Sequence, residues 1–154
     1  MHKFKILCNG LLLALFVLAP VLGYSGGVPP GVGQMIMEAK KAIKTVTMAD
    51  FKTLYDKKQF GLLIDVRDGE EYVTGHIAGA TNISRGTLEF RIWNLVGGAD
   101  HPNYNSKMML YCGSGARCIL ATKTLVDLGF KNVTAIDMKL VDWVNAGYPV
   151  EKGN

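Results

Sequence analysis

The chain has 154 residues and a formal net charge of +4, which falls to +2 once Lys3 and Lys5 leave with an N-terminal leader, 15 basic residues then standing against 13 acidic ones. That is too little charge for a nucleic-acid-binding surface, and the one small basic cluster, Lys40, Lys41 and Lys44, reads as a solvated helix face. The chain beyond the leader has the length of one ordinary domain with its own core, and the three cysteines are too few for a disulfide framework.

Residues 1–23 have the pattern of a secretory signal peptide. Lys3 and Lys5 make a positive start, Leu11 to Leu18 an apolar run, and Pro20 breaks that run before Val21-Leu22-Gly23. The run is shorter than the ~20 residues a spanning helix needs. We therefore expect a periplasmic or secreted protein with no stable membrane span after signal removal. Cys8 lies inside the leader, which leaves Cys112 and Cys118 in the mature chain.

Residues 24–46 read as a flexible tether and a short amphipathic helix. The glycines and prolines from Gly26 to Gly33 argue against regular structure, while Met35, Ile36, Ala39 and Ile43 share one helical face between Met35 and Lys44. The main domain is expected over 47–153. Thr47 is a good N-cap for a helix through Phe51, Leu54 and Tyr55, and Gly61 ends the turn before the buried strand Leu62-Leu63-Ile64. Similar apolar runs recur at Met108 to Tyr111 and at Val133 to Ile136, with a helical pattern through Ile119, Leu120, Thr124, Leu125 and Leu128 between them. Alternating strands and helices predict an α/β fold, a parallel sheet flanked by helices on both faces, with the site at the carboxyl ends of the strands.

The stretch Tyr111-Cys112-Gly113-Ser114-Gly115-Ala116-Arg117-Cys118 leaves a buried strand and enters a helix through one tight loop. Gly113 and Gly115 let the backbone turn several N–H groups inward, and the helix start adds its positive end. Such a cradle holds an anion. A thiolate at its centre titrates at roughly 3.5–7.5 in place of ~8.5, so Cys112 is the candidate nucleophile. The bland alternative is an inert buried thiol. Arg117 either contacts an anionic substrate or pairs with an acidic neighbour. Ser114 either offers its hydroxyl or only helps the loop turn. Cys118 is either a small apolar packer or a redox partner of Cys112. His2, His76 and His101 match no familiar zinc spacing with the cysteines, and no metal or cofactor is called for. Asp65, Arg67 and Glu71 read as an ion-paired brace around the loop, and His76 as a structural hydrogen-bonding residue.

From about Thr47 to Glu151 the chain resembles the rhodanese family. Asp65-Val66-Arg67, Glu71-Tyr72, Gly75-His76-Ile77-Ala78-Gly79-Ala80 and Asn82-Ile83 are similar to its first signature. The loop from Cys112 is similar to its active-site loop, and Trp143 to Val150 to its C-terminal signature. The resemblance implies a rhodanese-like fold and a sulfurtransferase. Cys112 would accept sulfane sulfur from thiosulfate or a persulfide or polysulfide donor, with Gly113, Ser114, Gly115, Ala116 and Arg117 binding the substrate. The partners implied are a small sulfur-containing anion, a thiol or cyanide acceptor, and a protein sulfur acceptor. Two positions depart from the family pattern. Gly113 stands where many thiosulfate-using relatives carry arginine, and Asp137-Met138-Lys139 where relatives carry a glycine pair. Two other readings stay open: a periplasmic sulfur carrier or polysulfide-binding module that works through a protein partner, and an oxyanion-binding phosphatase. Against the latter, four residues separate Cys112 from Arg117, one fewer than in the phosphatase-like loops.

Overall fold

The computed structural model describes residues 28–153. The signal peptide expected over 1–23 and the start of the tether lie outside them. Five strands form one parallel sheet: β1 (Lys44–Thr47), β2 (Leu62–Asp65), β4 (Thr81–Asn82), β5 (Met108–Tyr111) and β6 (Val133–Asp137), in the spatial order β1-β6-β5-β2-β4. Two short strands, β3 (His76–Ile77) and β7 (Val150–Glu151), form a separate antiparallel pair.

The central strands show why these residues make strands. Side chains alternate between faces along a strand, and in β5 Met108 and Leu110 enter one apolar cluster while Met109 and Tyr111 enter the other. Leu63 and Ile64 divide the same way in β2, as do Ala135 and Ile136 in β6. Both faces are therefore covered. On one lie α1 (Pro30–Lys41), α5 (Ala116–Asp127) and the short α4 (Leu88–Arg91), contributing Ala39, Ile119, Leu125 and Leu88. On the other lie α2 (Met48–Asp56) and α6 (Leu140–Asn145), where Phe51 and Trp143 pack with ring centroids 5.1 Å apart. This is the expected parallel sheet between helical layers. Among the described residues no helix is long and apolar enough to cross a membrane.

Thr47 caps α2, its hydroxyl accepting from the Asp50 N–H at 3.1 Å, and it is also the last residue of β1. The segment before it differs from expectation. Pro30 to Gly33 belong to the first turn of α1, where Pro30 takes the N1 position that needs no N–H partner, and the Gly33 N–H donates to Pro29 at 2.8 Å. The glycines there are tolerated because tertiary packing decides: Ile36, Ala39 and Ile43 close over the cluster beneath α5, while Gly31 and Gly33 face open space. The helix stops at Lys41, earlier than Lys44, and Lys44 starts the edge strand β1, which pairs with β6 from Lys44↔Thr134 to Thr47↔Asp137. Lys40 is not simply solvated, since its Nζ lies 2.6 Å from Asp137 at the end of β6.

Candidate active site around Cys112

Cys112 follows the last residue of β5, at the carboxyl edge of the sheet, and is fully buried. The chain then turns into α5 through Gly115, whose φ of +89° lies in the left-handed region where a side chain is strained. That turn aims the Gly115 N–H at the Cys112 Sγ, 3.2 Å away. The Cys112 thiol titrates at about 6. The largest cause is the Cys118 thiol beside it; burial opposes the shift, and the backbone N–H groups of Cys118, Ser114 and Gly115 add to it. Cys112 is therefore mainly thiolate at pH 7.

Cys118, one turn into α5, is also fully buried, and both cysteines are free. Its Sγ lies 3.0 Å from the Gly115 carbonyl and 3.6 Å from the Ile136 carbonyl, which compete with the Cys112 thiolate for its single S–H proton. Gly115 thus holds both sulfurs, one on its N–H and one on its carbonyl. Proximity to Cys112 and burial raise the Cys118 pKa well above its ordinary value, so Cys118 is the protonated member of the pair.

The other expected site residues have different surroundings. Gly113 gives its carbonyl to the Leu140 N–H at 2.9 Å, which ties the loop to the start of α6. Ser114 is exposed, and its backbone N–H, not its hydroxyl, is the group that stabilises Cys112. Ala116 opens α5. Arg117 meets Glu71 of α3 (Gly69–Thr74) in a two-pronged pair at 2.6 and 2.8 Å, with Asp68 at 3.7 Å. Glu71 is thus the acidic neighbour that the sequence left open. The pair lowers the Glu71 carboxyl below its usual range, chiefly through the Arg117 hydrogen bonds.

Beneath the loop Asp65 and Arg67 make the expected brace. Arg67 Nη2 lies 2.6 Å from Asp65 Oδ2, its Nε binds both carboxylate oxygens, and Nη2 also donates to the Gly75 carbonyl at 2.7 Å. Asn82 spans the Asp65 and Arg67 carbonyls at 3.0 and 2.9 Å, which holds the β2 exit in place. His76 stacks on Tyr72 with centroids 3.7 Å apart, and its Nδ1 lies 3.0 Å from the Tyr72 carbonyl. Its Nε2 lies 3.6 Å from Glu151 of β7. Asp137 stands at the loop rim although it is not among the expected site residues. A Cβ on Gly115 would come within 3.7 Å of its Oδ1, and the unusual Asp137-Met138-Lys139 sequence is the signal that marks it.

The model of the rhodanese-like domain family matches residues 47–146. A Bacillus subtilis protein assigned provisionally as a sulfur carrier, YrkF, is 31% identical over 111 residues, covering 72% of this chain and 56% of that one. A Rhodopseudomonas palustris structure of unknown function, described as a possible tyrosine phosphatase, is 31% identical with a TM-score of 0.67, covering 84% of this chain and 100% of that one. The polysulfide-sulfur transferase homodimer of Wolinella succinogenes is 25% identical with a TM-score of 0.63, covering 79% of this chain and 88% of that one. The chain spans only 36% to 56% of the length of three curated relatives, a tRNA uridine(34) hydroxylase among them. With the matched segment running from the cap of α2 to the end of α6 and enclosing the Cys112 loop, the chain belongs to the rhodanese-like domain family.

Proposed function

We propose that the protein is a sulfurtransferase that moves a sulfane sulfur through a Cys112 persulfide, from thiosulfate or a persulfide or polysulfide donor to a thiophilic acceptor such as a thiol or cyanide. The observation that carries this reading is a buried thiol held at a pKa of about 6 by a neighbouring thiol and a ring of backbone N–H groups. Such a thiolate needs no adjacent base. It attacks the outer sulfur of the donor, the donor S–S bond breaks, and the electron pair leaves with the departing anion. The inward N–H groups then stabilise the negative persulfide as they did the thiolate. In the second half-reaction the acceptor attacks the outer sulfur and Cys112 leaves as thiolate.

The leader pattern of residues 1–23 supports export to the periplasm or outside the cell, where the partners would be a small sulfur anion and a thiol or protein acceptor. Similarity to YrkF favours a second reading, a carrier that hands its sulfur to a protein partner. Turnover separates the two. Incubation with thiosulfate or polysulfide and excess cyanide should release many equivalents of thiocyanate per protein above the protein-free background, and none above that background from Cys112→Ser. Release of at most one equivalent would support the carrier and count against the enzyme. The short loop, with four residues between Cys112 and Arg117, supports sulfur over phosphate.

A further inference from the structure

The charges around the Cys112 loop point to the class of sulfur donor. Arg117 is the one cation inside the loop, and it faces two acids: Glu71 holds it by both prongs and Asp68 lies 3.7 Å away. Arg67 is buried and committed to Asp65 and the Gly75 carbonyl. At the opposite rim Lys40 is paired with Asp137, whose Oδ1 lies against Gly115. Gly113 adds no cation. A Cβ there would sit 3.4 Å from Arg117 Nη2 and 3.9 Å from Glu71 Oε1, so position 113 borders the ion pair. Lys139, just before α6, has no ion-pair partner among the described residues. It is exposed, and Asp137, two residues away, is already paired with Lys40.

Thiosulfate is a dianion that leaves as sulfite, also an anion, so a site that uses it must hold negative charge remote from the sulfur being transferred. A persulfide, R–S–S⁻, carries its charge on the transferred sulfur itself, where the backbone N–H groups of the loop are. We infer that the donor is an organic persulfide, the sulfur-loaded form of a small thiol, in preference to thiosulfate; this rests on the Cys112 persulfide reading above. In the step, the Cys112 thiolate forms a bond to the outer sulfur of R–S–S⁻ and the donor S–S bond breaks. The electron pair leaves on R–S⁻, and Cys112–S–S⁻ remains. No oxidant or reductant is consumed. The Glu71–Arg117 pair is then a selectivity device: it positions the loop while withholding the guanidinium from a sulfonate group.

The test is the second-order rate at which the full-length reduced protein gains one sulfur atom on the Cys112 peptide, read by quenched-flow mass spectrometry with 2-mercaptoethanol persulfide, whose only charge is on the outer sulfur, and with thiosulfate. The wild type should load from the persulfide at least about tenfold faster. Glu71→Gln frees the guanidinium and should narrow that ratio by about tenfold or more, the usual worth of one charge-assisted contact. Asp68→Asn keeps a good helix cap and should narrow the ratio by a smaller factor, since Asp68 is largely exposed and 3.7 Å from Arg117. It also serves as the deciding variant if Glu71→Gln fails to fold. Equal or faster loading from thiosulfate in the wild type overturns the inference, as does a ratio that neither variant moves. Loading by neither donor overturns the persulfide mechanism itself, and the inference falls with it.

Discussion

Replacing Cys118 by alanine isolates the strongest influence on Cys112. Its thiol is the largest cause of the depressed Cys112 pKa, ahead of the backbone N–H groups. Hydrogen bonds to charged groups are worth about 1.5–3 kcal/mol, which corresponds to about 1–2 pH units. Cys118→Ala should therefore move the Cys112 pKa from about 6 to about 7–8, and at pH 6 the thiolate fraction should fall from about half to about a tenth or less. Cys118→Ser keeps a donor and should shift it less. Linkage sets the sign for stability. A depressed thiol pKa stabilises the fold fully above the unfolded value of about 8.5, and the gain is lost as pH falls toward about 6. The wild type should thus gain more stability over that window than Cys118→Ala. The assay is the pH dependence of iodoacetamide alkylation at the Cys112 peptide, followed by mass spectrometry. Coincident profiles for wild type and Cys118→Ala would refute the assignment, as would a wild-type midpoint above about 8.

Three further changes probe the frame that holds the loop. Arg67→Ala leaves Asp65 buried and uncompensated, and should cost about 3–5 kcal/mol in urea unfolding. Gly115→Ala forces a side chain into a φ of +89° with its Cβ 3.4 Å from the Met138 carbonyl; it should cost about 1–3 kcal/mol and raise the Cys112 pKa by turning the N–H away. Lys40→Ala removes a half-exposed pair and should cost under about 1 kcal/mol, with the difference from wild type shrinking in high salt.

The parts of the fold legible in the sequence are those where one signal dominates. The apolar runs at Leu62, Met108 and Val133 are central strands because nothing but a two-sided core accommodates four consecutive buried residues, as in β5. Thr47 is readable because a hydroxyl before a helical pattern has one obvious use. Edge strand β1 is not, since Lys44, Thr45 and Thr47 face solvent and only Val46 is half-buried. Its pairing with β6 is a long-range fact with no local mark. Gly31 and Gly33 read as tether because glycine disfavours helix, and only the docking of Ile36, Ala39 and Ile43 outweighs that. At the site, Cys112 and its glycines declare themselves through the strand–loop–helix order. The pairing of Arg117 with Glu71 does not, because the two are 46 residues apart and several acids could serve. The same holds for Lys40 and Asp137, 97 residues apart.

The central claim is that Cys112 carries the transferred sulfur. It is tested most directly by the intact mass of the reduced protein after treatment with a persulfide or thiosulfate, with Cys112→Ser and Cys118→Ser alongside. The account predicts a gain of one sulfur atom in the wild type and in Cys118→Ser, none in Cys112→Ser, and loss of the added mass as thiocyanate when cyanide is added. A wild type that gains no sulfur from either donor, or a gain that survives Cys112→Ser, would contradict it.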